Sequence, residues 1–212
     1  MSTSASDPQR PFADYVRILD LFCGAGGAGM GYHLAGFDVV GVDIEEQPNY
    51  PFEFIRADAM TFPLDGFDAI HASPPCQHYA PVTRWRGRAD DHPDLLQPTV
   101  ERLKENGRPW VVENVPFAPI SPDFVLCGSA FGLNVRRHRW FLTSWSGFAL
   151  QPSCNHAGLL PFEHKGERAY ADAMGCHWMT NREAREAIPP AYTDYLGREL
   201  MRQIDGGGDV RP

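Results

Sequence analysis

Residues 20–29 read Asp20-Leu-Phe-Cys-Gly24-Ala-Gly26-Gly27-Ala-Gly29, between an apolar run from Tyr15 to Leu21 and a stretch to Ala35 that suits a helix. Glycines placed where a strand gives way to a helix let the backbone pass close to a ligand, so this turn predicts a nucleotide-type cofactor site. A second apolar run, Asp38 to Asp43, completes a strand–helix–strand unit. Further runs follow at Phe52 to Ile55, Phe67 to Ala72, Trp110 to Val112 and Trp140 to Thr143, with a helical stretch from Asp94 to Glu105. That alternation predicts an α/β fold, doubly wound, with a mostly parallel sheet covered by helices on both faces.

The chain has 212 residues, 43% of them apolar and 22% charged, which suits one globular domain with a real core. The first residues, 1–14, and the tail, 205–212, are small and polar and are expected to be flexible. Residues 15–143 form the expected cofactor-binding catalytic domain, and 144–178 a small irregular region rich in Gly, Pro, His and aromatics. Residues 179–204 are expected to be a helical segment that completes the domain, with helices at Glu183 to Ile188 and Ala191 to Ile204. No apolar run is long enough to span a membrane and the start lacks a secretory pattern, so a cytoplasmic protein with no membrane partner is expected, a monomer by default. Five scattered cysteines fit a reducing compartment.

The formal net charge of −8 argues against indiscriminate coating of nucleic acid. Positive charge is nonetheless gathered locally, at Arg84, Arg86 and Arg88 and again at Arg136, Arg137 and Arg139. Either cluster could face phosphates or be solvated surface.

The glycine turn alone leaves two cofactor classes open. Gly24, Gly26 and Gly29 satisfy the dinucleotide spacing, and Asp43 ends the second strand where a ribose-binding acid belongs, so a dehydrogenase is a rival reading. A methyl donor presents a sulfonium and an amino-acid head instead of a pyrophosphate, and a carboxylate such as Asp20 beside the turn suits those cations. Asp58, after the third strand, could accept from an adenine amino group or simply cap a turn.

Ser73-Pro74-Pro75-Cys76-Gln77 follows the run Phe67 to Ala72, which places Cys76 on a proline-stiffened loop at the carboxyl edge of the sheet, where ligands bind in such folds. Cys23, Cys127 and Cys176 read as packing residues. Trp110-Val-Val-Glu113-Asn114 ends in a carboxylate and an amide at that same edge, and a partly desolvated Glu113 would serve as a proton donor. In Arg136-Arg137-His138-Arg139, extended backbone puts Arg137 and Arg139 on one face and Arg136 and His138 on the other. Two forked donors on one face suit a base carbonyl, a phosphate or a carboxylate.

Taken in order, the glycine motif, the acid after the second strand, Asp58 in Ala-Asp-Ala, Pro-Cys-Gln, Glu-Asn-Val and Arg-x-Arg resemble the cytosine-C5 DNA methyltransferases over residues 16–143. The resemblance implies a Rossmann-like methyltransferase sheet and S-adenosylmethionine, held by Asp20, Phe22, Gly24, Gly26, Gly27, Asp43, Ile44, Asp58, Ala59 and Pro75. It implies that Cys76 attacks C6 of a flipped-out cytosine, Glu113 acts at N3, Arg139 contacts the base carbonyl, Arg137 supports the loop and Asn114 orients the site. Gln77, Arg84, Trp85 and Arg86 become candidates for contact with DNA. The same chemistry on RNA or a free cytosine nucleotide is the alternative, and a catalytically idle nucleic-acid-binding relative is a third reading.

Family members carry a large recognition region after Arg-x-Arg, whereas only Ser144 to about Arg168 is available here. Short or degenerate sequence preference, or a separate partner that supplies recognition, is therefore expected. Val135 stands where the family has glutamine, and the usual closing Gly-Asn-Ser is missing. Met179-Thr180-x-x-Glu183 and Ala187-Ile-Pro-Pro-Ala-Tyr192 resemble the ending of compact phage-type members, in which Tyr192 and Thr193 either close over the cofactor or pack on the sheet. Cys154, His156, His164, Cys176 and His177 invite a zinc reading, but without paired C-x-x-C halves the expectation is no metal.

Overall fold

In a computed structural model, which describes residues 15–79, 85, 92–145, 153–157 and 169–206, the domain is built on one seven-stranded sheet. Its strands are β1 (Arg17–Leu21), β2 (Asp38–Asp43), β3 (Glu53–Arg56), β4 (Ala69–Ala72), β5 (Trp110–Asn114), β6 (Phe124–Cys127) and β7 (His138–Thr143). They lie in the order β3-β2-β1-β4-β5-β7-β6. Strands β3 to β5 pair in parallel, while β7 runs antiparallel to both β5 and β6. The expected doubly wound, mostly parallel sheet is thus present, with an antiparallel margin.

Burial explains why short runs sufficed to mark the strands. All of β4 and β5 is buried, as are four residues of β1, so these strands read as unbroken apolar stretches rather than alternating ones. The sheet parts two cores. On one face α2 (Leu96–Asn106) lays Leu96, Val100 and Leu103, spaced at helical period, against Leu19, Leu21, Ile70 and Val112. On the other, α1 (Gly27–Leu34) and α5 (Pro190–Asp205) contribute Tyr32, Tyr192, Leu196 and Leu200 to a core with Ile18, Val39 and Phe141.

Two short helices precede α5: α3 (Ala169–Met174) and α4 (Asn181–Glu186). The first lies in the region read as irregular and corrects that reading for its part; six residues of small and mixed character carry too little period to be seen. The Thr180-x-x-Glu183 motif is a capping box, in which the Thr180 hydroxyl accepts from the Glu183 N–H and the Glu183 carboxylate accepts from the Thr180 N–H at 2.7 Å. That carboxylate also accepts from Asn49 Nδ2 at 2.9 Å, which fastens α4 to the loop after β2. Strand β6 was not marked in the sequence, being four residues long with Val125 exposed.

The packing of α5 on α1 depends on absent side chains. A Cβ on Gly31 would fall 2.1 Å from the Pro190 carbonyl oxygen and from Thr193 Oγ1, so only glycine lets the two helices come this close. Thr193 donates to the Ala28 carbonyl at 2.8 Å and is fully buried, as is Tyr192. Thr193 therefore packs on α1 and Tyr192 against Phe141 of β7. Among the described residues no helix is long and apolar enough to cross a membrane.

Candidate active site

The carboxyl ends of β1, β2, β4 and β5 meet at one edge, and the motif residues lie there. The glycine turn is fixed from both sides: the Gly24 N–H donates to Asp43 Oδ2 at 2.9 Å, and Trp178 Nε1 donates to the Ala25 carbonyl at 2.8 Å. Phe22 holds a positive φ of 57°, a conformation that costs a side-chain-bearing residue energy and clusters at ligand sites. Gly24, at φ 48°, has no atom within 4 Å of where a Cβ would sit, so its surface is open to a ligand. Gly26 begins α1 with φ 82°, and Gly27 lies against the Ile188 carbonyl.

Asp43 uses its second oxygen to accept from the Glu45 N–H at 3.0 Å. Beyond it Ile44 is 62% exposed, an apolar ledge at the strand end that suits one face of an adenine ring. Asp58 is exposed and accepts from the Met60 N–H at 2.9 Å, so it caps the turn after β3; Ala59 beside it is buried. Asp20 is fully buried under the start of α1, where burial lifts its carboxyl to about 7 despite the Tyr50 hydroxyl, which donates to Oδ2 at 3.4 Å. Its Oδ1 is buried without a hydrogen-bond partner. An open glycine turn, an apolar ledge and a carboxylate with unspent acceptor capacity together fit a nucleoside with a cationic tail.

The loop that carries Cys76 is anchored by Asn114, whose Nδ2 donates to the Pro74 carbonyl at 3.2 Å while its Oδ1 accepts from the Val115 N–H at 2.9 Å. Asn114 therefore orients the loop through Pro74 rather than by reaching outward. Pro75 and Cys76 are half-buried and Gln77 is exposed. Burial first, and the Glu113 carboxylate second, push the Cys76 thiol above its ordinary range, while Arg139 and Arg137 pull the other way.

Glu113 is buried at the end of β5, and Arg139 Nε stands 2.8 Å from its Oε1. Desolvation raises the Glu113 carboxyl above its usual range even so; Arg139, Arg137 and a hydrogen bond from Ser73 offset only part of it. Ser73 in turn meets His71 Nε2 at 2.8 Å, and His71 Nδ1 meets the Tyr32 hydroxyl at 2.9 Å. Burial drops the His71 imidazole to about 3, so it is neutral, and a buried polar chain runs from Tyr32 to Glu113. The sequence offered no sign of this chain, because a histidine inside an apolar strand reads as core.

The arginines part company. Arg139 turns to Glu113, whereas Arg137 is buried and donates to the Tyr170 hydroxyl at 3.0 Å and to the carbonyls of Arg185 and Ala187 at 2.7 and 2.8 Å. Arg137 thus ties the start of β7 to α3 and α4. Trp85 is 85% exposed, and Arg84, Arg86, Arg88 and His164 lie outside the described residues.

Cys127 is buried, in keeping with its reading as a packing residue, and also has polar neighbours. Its Sγ faces His138, Cys154 and His156, and all four ligand atoms lie within 4.8 Å of one another. Cys176 is buried away from that group and His177 pairs with Asp172, so neither belongs to it.

Residues 16–118 match the model of the C-5 cytosine-specific DNA methylase family. No curated protein matches the chain. Among solved structures, the Dnmt2 methyltransferase of S. pombe is 13% identical with a TM-score of 0.60 over 91% of this chain and 100% of that one, a likeness of fold. The Dnmt2 of Spodoptera frugiperda is 21% identical with a TM-score of 0.47, covering 63% of this chain and 53% of that one. A protein described as a DNA modification methyltransferase encoded within an E. coli prophage is 21% identical with a TM-score of 0.45, covering 60% and 46%. The chain spans about half the length of these last two.

Proposed function

We propose, from the match of residues 16–118 to the C-5 cytosine-specific DNA methylase family, that the chain methylates C5 of a flipped-out cytosine in DNA with Cys76 as the nucleophile. The observation that carries the reading is the convergence of a half-buried thiol with a buried Glu113–Arg139 pair at the edge where the glycine turn opens. A dinucleotide dehydrogenase has no use for that trio.

The residues that would hold S-adenosylmethionine are Phe22, Gly24, Asp43 and Ile44, with Asp58 and Ala59 beside them and Asp20 beneath the turn. Bound there, it supplies an electrophilic methyl group on a sulfonium. Cys76, as thiolate, adds to C6 of the ring, and the electron pair displaced toward N3 is met by the proton on Glu113, so that negative charge does not accumulate. Burial raises the Glu113 carboxyl, so it holds that proton to higher pH than an ordinary glutamate does. A protonated Glu113 also removes the carboxylate that most disfavours the Cys76 thiolate after burial, so the two groups are primed together. Arg139, held on the carboxyl group of Glu113, is the group assigned to the cytosine carbonyl. C5 would take the methyl carbon of a donor bound there as the carbon–sulfur bond breaks and its electron pair stays on sulfur, while N3 returns its proton to Glu113; loss of the C5 proton to solvent then restores the ring double bond and expels Cys76.

A target base inside a duplex hides both ring faces, so extrusion costs a few kcal/mol, which contacts from the loop after Cys76 would offset. Trapping on duplex DNA that contains 5-fluorocytosine tests the reading. A covalent adduct that requires both Cys76 and cofactor is expected, because fluorine cannot leave as a proton does; its absence overturns the enzyme reading.

The net charge of −8 and the short region between β7 and α3 favour a second substrate class, structured RNA or a free cytosine nucleotide. Tritium release from C5-labelled duplex DNA, tRNA and dCMP separates these, and release only from RNA or nucleotide would transfer the same chemistry to that substrate.

A further inference from the structure

Away from the catalytic edge, the chain gathers four groups of one chemical kind. Cys127 ends β6 and His138 begins β7, and the two are direct partners in the antiparallel register, so their side chains rise from the same face. Cys154 and His156, two residues apart in the loop 153–157, reach that face from a segment otherwise distant in sequence. Their donor atoms meet in crossed pairs: Cys127 Sγ lies 3.4 Å from His156 Nε2, and Cys154 Sγ lies 3.8 Å from His138 Nε2.

We propose that Cys127, His138, Cys154 and His156 form a structural zinc site. Tetrahedral zinc, with bonds of about 2.3 Å to sulfur and about 2.0 Å to imidazole nitrogen, spaces its sulfur and nitrogen ligands about 3.6 Å apart. The two crossed distances straddle that value. Two thiolates and two imidazoles are a donor set that suits zinc over hard cations, and four protein ligands close the coordination shell, which marks a structural rather than a catalytic ion.

The surrounding contacts hold the ligands where a metal needs them. The Asn155 N–H, between the two loop ligands, donates to Ser129 Oγ at 3.2 Å, and Ser129 follows Cys127 by two residues. Asn155 Oδ1 accepts from the Ala157 N–H at 3.0 Å, which turns the loop just beyond His156. The rings of His138 and His156 stand edge to face, 4.9 Å apart at 88°, so that both nitrogens can aim at one point without the rings stacking.

A metal here would pin the segment after β7 to the far margin of the sheet. His138 sits between Arg137, which holds α3 and α4, and Arg139, which meets Glu113. The ion would thus also fix the strand that carries both arginines.

Metal analysis of the full chain, purified without chelators or a metal-affinity tag, tests the site independently of methyl transfer. About one zinc per chain is expected in the native protein and in His177→Ala, whose histidine lies outside the group. Cys154→Ser with His156→Ala should lose it, while His156→Cys, which replaces one ligand by another, should keep it. Cobalt exchanged into the native protein should show thiolate charge-transfer and intense tetrahedral ligand-field absorption. Native protein without stoichiometric metal after growth in zinc, or zinc retained by the double variant, would each overturn the proposal.

Discussion

Arg139 Nε approaches Glu113 Oε1 to 2.8 Å with both side chains largely shielded from water, yet burial still leaves the Glu113 carboxyl easier to protonate than an ordinary one. Guanidinium and proton therefore compete for the same oxygens. This balance lets one residue serve as an anchor for Arg139 and as a source of a proton.

Replacing Glu113 by Gln should separate two effects. Turnover falls by roughly 10²–10⁴-fold with loss of the acid. Alkylation of Cys76 by iodoacetamide at fixed pH should become faster, because the carboxylate that raises the thiol is gone. Slower alkylation in a folded Glu113→Gln protein would show that Glu113 does not act on the thiol electrostatically.

Ser73→Ala removes a hydrogen bond that lowers the Glu113 carboxyl, so Glu113 should hold its proton to higher pH. The alkaline limb of the pH–rate profile is then expected to move upward, with a change in maximal rate of about tenfold or less. An unmoved limb would place another group in control of it.

Asp20 titrates at about 7 in the folded chain against an ordinary 3.8, so the unfolded chain ionises first as pH rises. Its contribution is greatest below pH 4, declines by up to about 1.4 kcal/mol per pH unit toward pH 7 and is constant above. Asp20→Asn should remove that decline. Denaturant unfolding of both proteins from pH 4 to pH 8 is expected to show a gap that widens with pH; a constant gap would mean that Asp20 is ionised throughout.

Arg137→Met leaves the Arg185 and Ala187 carbonyls without their donor. A loss of roughly 1–3 kcal/mol in unfolding free energy is expected from two part-buried acceptors left unpaired. Cys76 alkylation in the folded variant should change far less than in Glu113→Gln.

The parallel strands were readable because burial on both faces turns them into plain apolar runs, and the edge placement of Cys76, Glu113 and the glycine turn follows from that pattern alone. What could not be read depended on pairing across the chain. Alternation along β7 put Arg137 and Arg139 together, but only α3 and α4 decide that Arg137 is a tether while Arg139 meets Glu113. Cys127 looked like core because its meaning lies in its register opposite His138 and in a loop that returns to both. His71, Ser73 and Tyr32 come from a strand, a loop and a helix, and no local spacing announces their contact. Trp178, which clamps the glycine turn at Ala25, lies 153 residues further along the chain.

The approach of α5 to α1 at Gly31 has a consequence for the order of events in synthesis. Helix α1, which the cofactor turn begins, emerges from the ribosome well before the residues that pack on it, Pro190 to Leu200. Until then Tyr32 and Ala28 lack the cover of Tyr192, Thr193 and Leu196. A nascent chain stopped before α5 would hold every motif of the active edge and still lack a settled fold, so methyl transfer should begin only after the segment through Asp205 has been released.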